Sequence, residues 1–253
     1  MNILRRLSPY WSTALIIGCF WLGQHNPEAW PWVLTGFVAT TALVVWCLHQ
    51  PHWRSEYVAL GCSPLLVVVS GYSFILIQEL PWLIISLIAV ISLFYFIYVK
   101  HLAVYVGDPA HYVPYSLEHI STYSNVVASF FFYVSIFMFF ILQVSRLRYM
   151  MLMALVVTAV IVWQTFWIQK ITGRAARWFI IAITLVITET VWVVHFWPVS
   201  FFVSGFLLTL VLYVLLHLCR HHLTTTLTRT IIWRYLGIGG LAAVLLLLTA
   251  RWT

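Results

Sequence analysis

Charge is what this chain has least of. Only 13 Lys+Arg and 6 Asp+Glu occur among 253 residues, 8% charged against 63% hydrophobic. A soluble domain carries about 25% charged residues, so a water-soluble fold is excluded. Cysteine is also scarce. Cys19, Cys47, Cys62 and Cys219 fall in or beside apolar runs and share no CxxC spacing, which argues against a disulfide or zinc framework and leaves four small hydrophobes. No HExxH occurs, no repeat recurs at a fixed period, and no long basic tail explains the net charge of +7. Both lysines, Lys100 and Lys170, stand at the ends of apolar runs, so a retinal-type Schiff base has no mid-helix anchor. No cofactor is implied.

What the chain does have is apolar length. Runs at 7–23, 30–49, 57–78, 81–100, 122–144, 149–169, 178–197, 199–218 and 236–250 predict an all-α, polytopic helical membrane protein. It has about nine transmembrane helices in a single domain covering 1–253, or eight if the first and shortest run does not span. That first run follows a basic start and resembles a secretory signal, but 24–29 lacks the small residue that cleavage needs, so it reads as a retained helix. Pro64 predicts a kink in the third helix, and the short link at 78–81 predicts a tight antiparallel hairpin. The 14 Trp and 13 Tyr suit interfacial belts.

Basic residues set the orientation. With the N-terminus in the cytoplasm and nine spans, ten basic residues face the cytoplasm and only Arg146, Arg148 and Arg251 face outward. The C-terminus is then outside. The expected partners are the bilayer, anionic lipid at the cytoplasmic face, and either a membrane-protein partner or further copies of the chain. Basic residues at helix ends leave no platform for nucleic acid.

Three groups of residues could carry chemistry. Glu189 is the one acid placed deep in apolar sequence. A carboxylate inside a bilayer costs about 2.5–3.5 kcal/mol and normally faces protein or water. Its helix face is Ala182, Leu185, Val186, Trp192, Val193 and Phe196. His195 lies six residues on and about 120° round, so any partner must come from another helix, with Gln164, Tyr213 or the Ser200/Ser204 ridge in view. An acid in a polar pocket, made with Gln164, Asn125 and His195, would handle protons or cations. A protonated acid bonding a neighbouring helix would instead serve assembly. Asp108, His111, Glu118 and His119, in the polar connection 101–121, are metal-ligand and acid–base types at unmatched spacing. Ser116 as a helix cap with Glu118 in the first turn accounts for part of that stretch structurally. His217, Arg220, His221, His222, Arg229 and Arg234 could hold a lipid headgroup or anchor two helix ends.

Tyr115-Ser116-Leu117-Glu118, Tyr123-Ser124-Asn125 and the later Glu189, Trp192 and Pro198 resemble an uncharacterised family of polytopic inner-membrane proteins from uncultured, small-genome bacteria. The resemblance implies a multi-pass protein of the bacterial cytoplasmic membrane and brings no activity with it. Three functions follow from the residues: a small transporter or membrane-complex subunit built on Glu189, a lipid-active enzyme using the 101–121 loop, or an assembly protein in which Glu189 pins helices together. The scattered acids and bases weigh against the enzyme.

Overall fold

A computed structural model describes residues 2–48, 56–107, 112–113, 115–143 and 146–249. Their secondary structure is helical throughout: α1 (Asn2–His25), α2 (Trp30–Cys47), α3 (Glu56–Ile75), α4 (Pro81–Gly107), α5 (Ser116–Ile141), α6 (Leu147–Ile168), α7 (Arg174–His195), α8 (Phe201–Leu223) and α9 (Arg229–Thr249), with one 3₁₀ turn at Pro27–Ala29. Among the described residues, the eight helices α2–α9 are long and apolar enough to cross a membrane. The protein is an all-α, polytopic membrane protein. The first run is a 24-residue helix with Pro9 inside it but does not join the eight, which is the smaller of the two expected numbers.

The chain forms two compact units, Met1–Ala128 and Ser129–Thr253. In the first, α1 packs on α4 and α2, while α3 packs on α2 and α4. In the second, α7 lies against α6 and α8, and α9 lies against α8. The outermost residues are large and apolar, as on Trp46, Ile85 and Leu248, the surface expected where the solvent is lipid.

Pro64 sits inside α3 without ending it. Proline has no N–H, so the Leu60 carbonyl loses its helical donor. The Tyr98 hydroxyl donates to that oxygen at 2.8 Å. In α1, Pro9 leaves the Arg5 carbonyl in the same position, and Ser8 Oγ donates to it at 2.8 Å. Both are ways of satisfying backbone where water is excluded.

Several helix ends differ from expectation, including α5, which begins at Ser116 rather than 122, and α8, which runs to Leu223 rather than 218. α4 was expected to stop at Lys100 and runs on to Gly107, because Leu102 and Val106 continue its buried face. The helix is then 27 residues, about 40 Å at 1.5 Å per residue, longer than a hydrocarbon core of about 30 Å. Lys100 therefore lies within the helix rather than at its end. α9 begins at Arg229 instead of 236, absorbing the last part of the link before it.

Some ends close by a shared local rule. After α6, Lys170 takes a positive φ of 58°, with Ile171 N donating to Phe166 O at 2.9 Å and Lys170 N to Trp167 O at 2.9 Å. After α8, Thr225 takes a φ of 56°, with Thr226 N bonded to His221 O at 3.0 Å and Thr225 N to His222 O at 3.1 Å. Each is a Schellman closure that satisfies the last carbonyls of its helix.

Candidate functional site

α7 buries Ala176, Ile183, Thr184, Ile187, Thr188, Val191 and Val194. Of the two inward threonines, Thr188 turns its Oγ1 back to Thr184 O at 2.8 Å. Glu189 follows Thr188 by one residue, about 100° round the helix, and that step takes it out of the buried stripe. It is exposed, as are Ala182, Leu185, Val186, Trp192, Val193 and Phe196 on its own face.

The expected pocket around Glu189 is therefore not made by this unit. Among the described residues Glu189 has no hydrogen bond or ion pair. Gln164 is fully buried in α6 and is not joined to it. His195 is half-buried and sets its ring edge-on to Phe140, with centroids 4.2 Å apart. Ser200 serves as N-cap of α8, accepting from Val203 N at 3.4 Å, and Ser204 is buried. Tyr213 meets the His217 ring at a tilt of 58°, centroids 4.3 Å apart. What remains around the acid is an apolar, aromatic surface, with Trp192 and Phe196 in edge contact at 5.6 Å.

Asn125 belongs to the first unit and has its own polar surroundings. It is 2% exposed. Its Oδ1 accepts from Ser63 Oγ at 2.9 Å, and Ser121 Oγ donates to Ser63 Oγ at 3.3 Å. In the same unit, the buried Tyr95 hydroxyl has Thr41 and Ser12 beside it. The chain thus carries a hydroxyl-lined interior in unit 1. Sequence reasoning missed it because its members come from different helices, so no spacing within one helix brings them together.

Of the loop residues, Asp108 and His111 lie outside the described residues. Glu118 is half-buried and His119 exposed. The Tyr112 hydroxyl donates to Glu118 Oε2 at 3.0 Å and accepts from Leu117 N at 3.1 Å. Burial pushes the Tyr112 hydroxyl up from its ordinary pKa, keeping the proton that the Glu118 bond needs. Tyr112, rather than Ser116, supplies the capping oxygen of α5, since Ser116 Oγ makes no hydrogen bond. Among the described residues no group of three or more His, Cys, Asp or Glu could hold a metal ion.

The basic cluster between α8 and α9 is largely a ring-packing arrangement. His217 stacks on Tyr235 at 5.1 Å and 11°, and His222 meets Phe179 at 5.5 Å. His221 Nδ1 shares a 2.9 Å hydrogen bond with Thr226 Oγ1. Arg220 is half-buried, while Arg229 and Arg234 are exposed.

A family model described as a protein of unknown function, DUF5656, matches residues 31–249. The chain belongs to the DUF5656 family. The match takes in α7 and Glu189 and begins after α1. No curated protein matches the chain, and no solved structure does.

Proposed function

We propose that this DUF5656 protein is a subunit of a membrane complex built from copies of itself and joined along α7. The observation that carries this reading is the exposure of Glu189 on an otherwise apolar face. Six residues, about 9 Å, separate it from the C-terminus of α7, so the acid stands inside the apolar span. Lipid offers a carboxyl group no hydrogen-bond partner, and unit 2 offers it none. A protonated carboxyl is both donor and acceptor. Two copies related by a two-fold axis put residue 189 opposite residue 189, and each acid then satisfies the other. Around that contact the face is apolar and includes the small Ala182, which favours close helix approach.

This takes the assembly half of the expectation over the transport half. Transport would need Glu189 turned inward on a polar pocket, and its exposure supports the opposite arrangement. The setting is a multi-pass protein of the bacterial inner membrane, oriented with most of its basic residues inside.

The test is disulfide trapping in membranes, on a chain whose four native cysteines are replaced by alanine. A single cysteine at Val186, on the Glu189 face, is expected to form a covalent dimer under mild oxidation. One at Leu245, on the exposed face of α9, is expected to remain monomeric. Crosslinking at 245 but not at 186 would move the contact to α9 and overturn the role of Glu189.

A further inference from the structure

Where α6 ends and α7 begins, within unit 2, lies a cavity of about 280 Å³. Side-chain size explains it. Trp163, Phe166 and Ile180 form walls, while the small Gly173 and Ala176 leave open the space between them. Arg177 also lines the cavity. The link between the helices adds Lys170, and the first turn of α7 adds Arg174. All three cations are exposed, and among the described residues none of their side chains is hydrogen-bonded or ion-paired. No acid of this unit stands ready to neutralise them. Glu189 is the one Asp or Glu between residues 129 and 253. It follows Arg177 by 12 residues, about 18 Å along α7 and about 120° round it, out of reach of a salt bridge.

Neighbouring cations repel one another, and an anion relieves that repulsion. Depth specifies what kind of anion. Arg177 to His195 spans about 27 Å along α7, close to the hydrocarbon thickness of about 30 Å. Arg177 thereby stands at headgroup depth when the end of α7 lies at the opposite face. Both helices enter the membrane from the link between them. Ile180 lies about 4.5 Å further in than Arg177 along α7, and Trp163 about 6 Å further in than Trp167 along α6. The apolar walls therefore lead from the cations toward the membrane interior, and Trp163 and Trp167 stand where interfacial tryptophans belong. We propose that this cavity binds an anionic phospholipid. Arg177 holds its phosphate, Lys170 and Arg174 add to the local positive potential, and the start of an acyl chain lies against Trp163 and Ile180. A soluble phosphate would use the cations alone. The walls are what select a lipid. This site is separate from the basic cluster at 217–234 and does not depend on assembly through the Glu189 face.

The experiment is native mass spectrometry of the delipidated full chain in non-ionic detergent. It is titrated with phosphatidylglycerol, with phosphatidylcholine of the same chains, and with inorganic phosphate. Phosphatidylglycerol is expected to bind well ahead of both. The double variant R174Q/R177Q is expected to bind it about 30-fold more weakly, the effect of two basic residues at about 1 kcal/mol each. The charge-preserving R174K/R177K should stay within about threefold of wild type, because Lys keeps the charge on which attraction at the surface depends. R229Q/R234Q removes as many charges elsewhere and should bind as wild type does. Trp163→Ala keeps every charge and truncates an exposed wall residue, and it should bind phosphatidylglycerol more weakly than wild type. Full binding by R174Q/R177Q, or an equal loss in R229Q/R234Q, would overturn the site. Unchanged binding by Trp163→Ala, or binding of inorganic phosphate at the same concentration as the lipid, would overturn its assignment to a lipid.

Discussion

Tyr98 shows how single residues hold this molecule together. Its hydroxyl replaces the donor that Pro64 withdraws from the Leu60 carbonyl. Tyr98→Phe keeps the ring and removes that donor, leaving a buried carbonyl unpaired at a cost of about 1–3 kcal/mol. The expected result is a lower unfolding midpoint in detergent with the helical signal unchanged. Tyr133→Phe is the informative comparison. It breaks a 2.7 Å side-chain pair with Thr158 but exposes no backbone group, so its loss should be the smaller of the two. The missing donor at Pro64 is legible in sequence from proline's chemistry alone. Which residue supplies the replacement is not, because Tyr98 comes from a different helix. Glu189 divides in the same way. Its isolation and the members of its face, from Ala182 to Phe196, are readable by helical spacing. The direction of that face is not, because both sides of α7 are apolar and only the Thr184/Thr188 pair marks the inward one.

Among elements, the clearest constraint is the approach of α8 to α5 within the second unit. A Cβ on Gly205 would lie 2.7 Å from the Val134 backbone nitrogen. Backbone cannot move aside as a flexible side-chain end can, so Gly205→Ala is expected to destabilise by about 1–3 kcal/mol through overpacking. Gly237→Ala, with nothing within 4 Å of the added carbon, should be neutral or slightly stabilising in thermal unfolding. Equal effects from the two would contradict the close approach. Among the glycines at 205, 237, 239 and 240, a close approach is made at Gly205 and Gly239. Spacing names the candidates, and rotation of each helix about its axis selects among them. Helix ends were less legible than helix existence. Lys100 and the polar stretch after it suggest a stop, but the Leu102/Val106 face carried α4 onward to Gly107. Charge marks where the membrane ends, whereas a helix can continue into the interface while its apolar stripe has something to pack on.

For the whole molecule, composition was decisive for class, since 8% charge leaves no alternative to a membrane. Composition says nothing of assembly, because an outward acid and an inward acid are the same letters. Assembly through α7 rests on chemistry that lipid cannot supply, and it can be measured as mass. Wild type, Glu189→Gln and Glu189→Leu, each in lipid nanodiscs or mild detergent, are compared by light scattering over a range of protein concentration. Glutamine both donates and accepts, so wild type and Glu189→Gln should run at twice the chain mass. Leucine does neither, and Glu189→Leu should run as a monomer. At about 1–2 kcal/mol for each membrane hydrogen bond, loss of the reciprocal pair weakens association by about 30-fold to several hundred-fold. A wild-type protein that stays monomeric throughout, or a leucine variant that associates as tightly as wild type, would contradict the account.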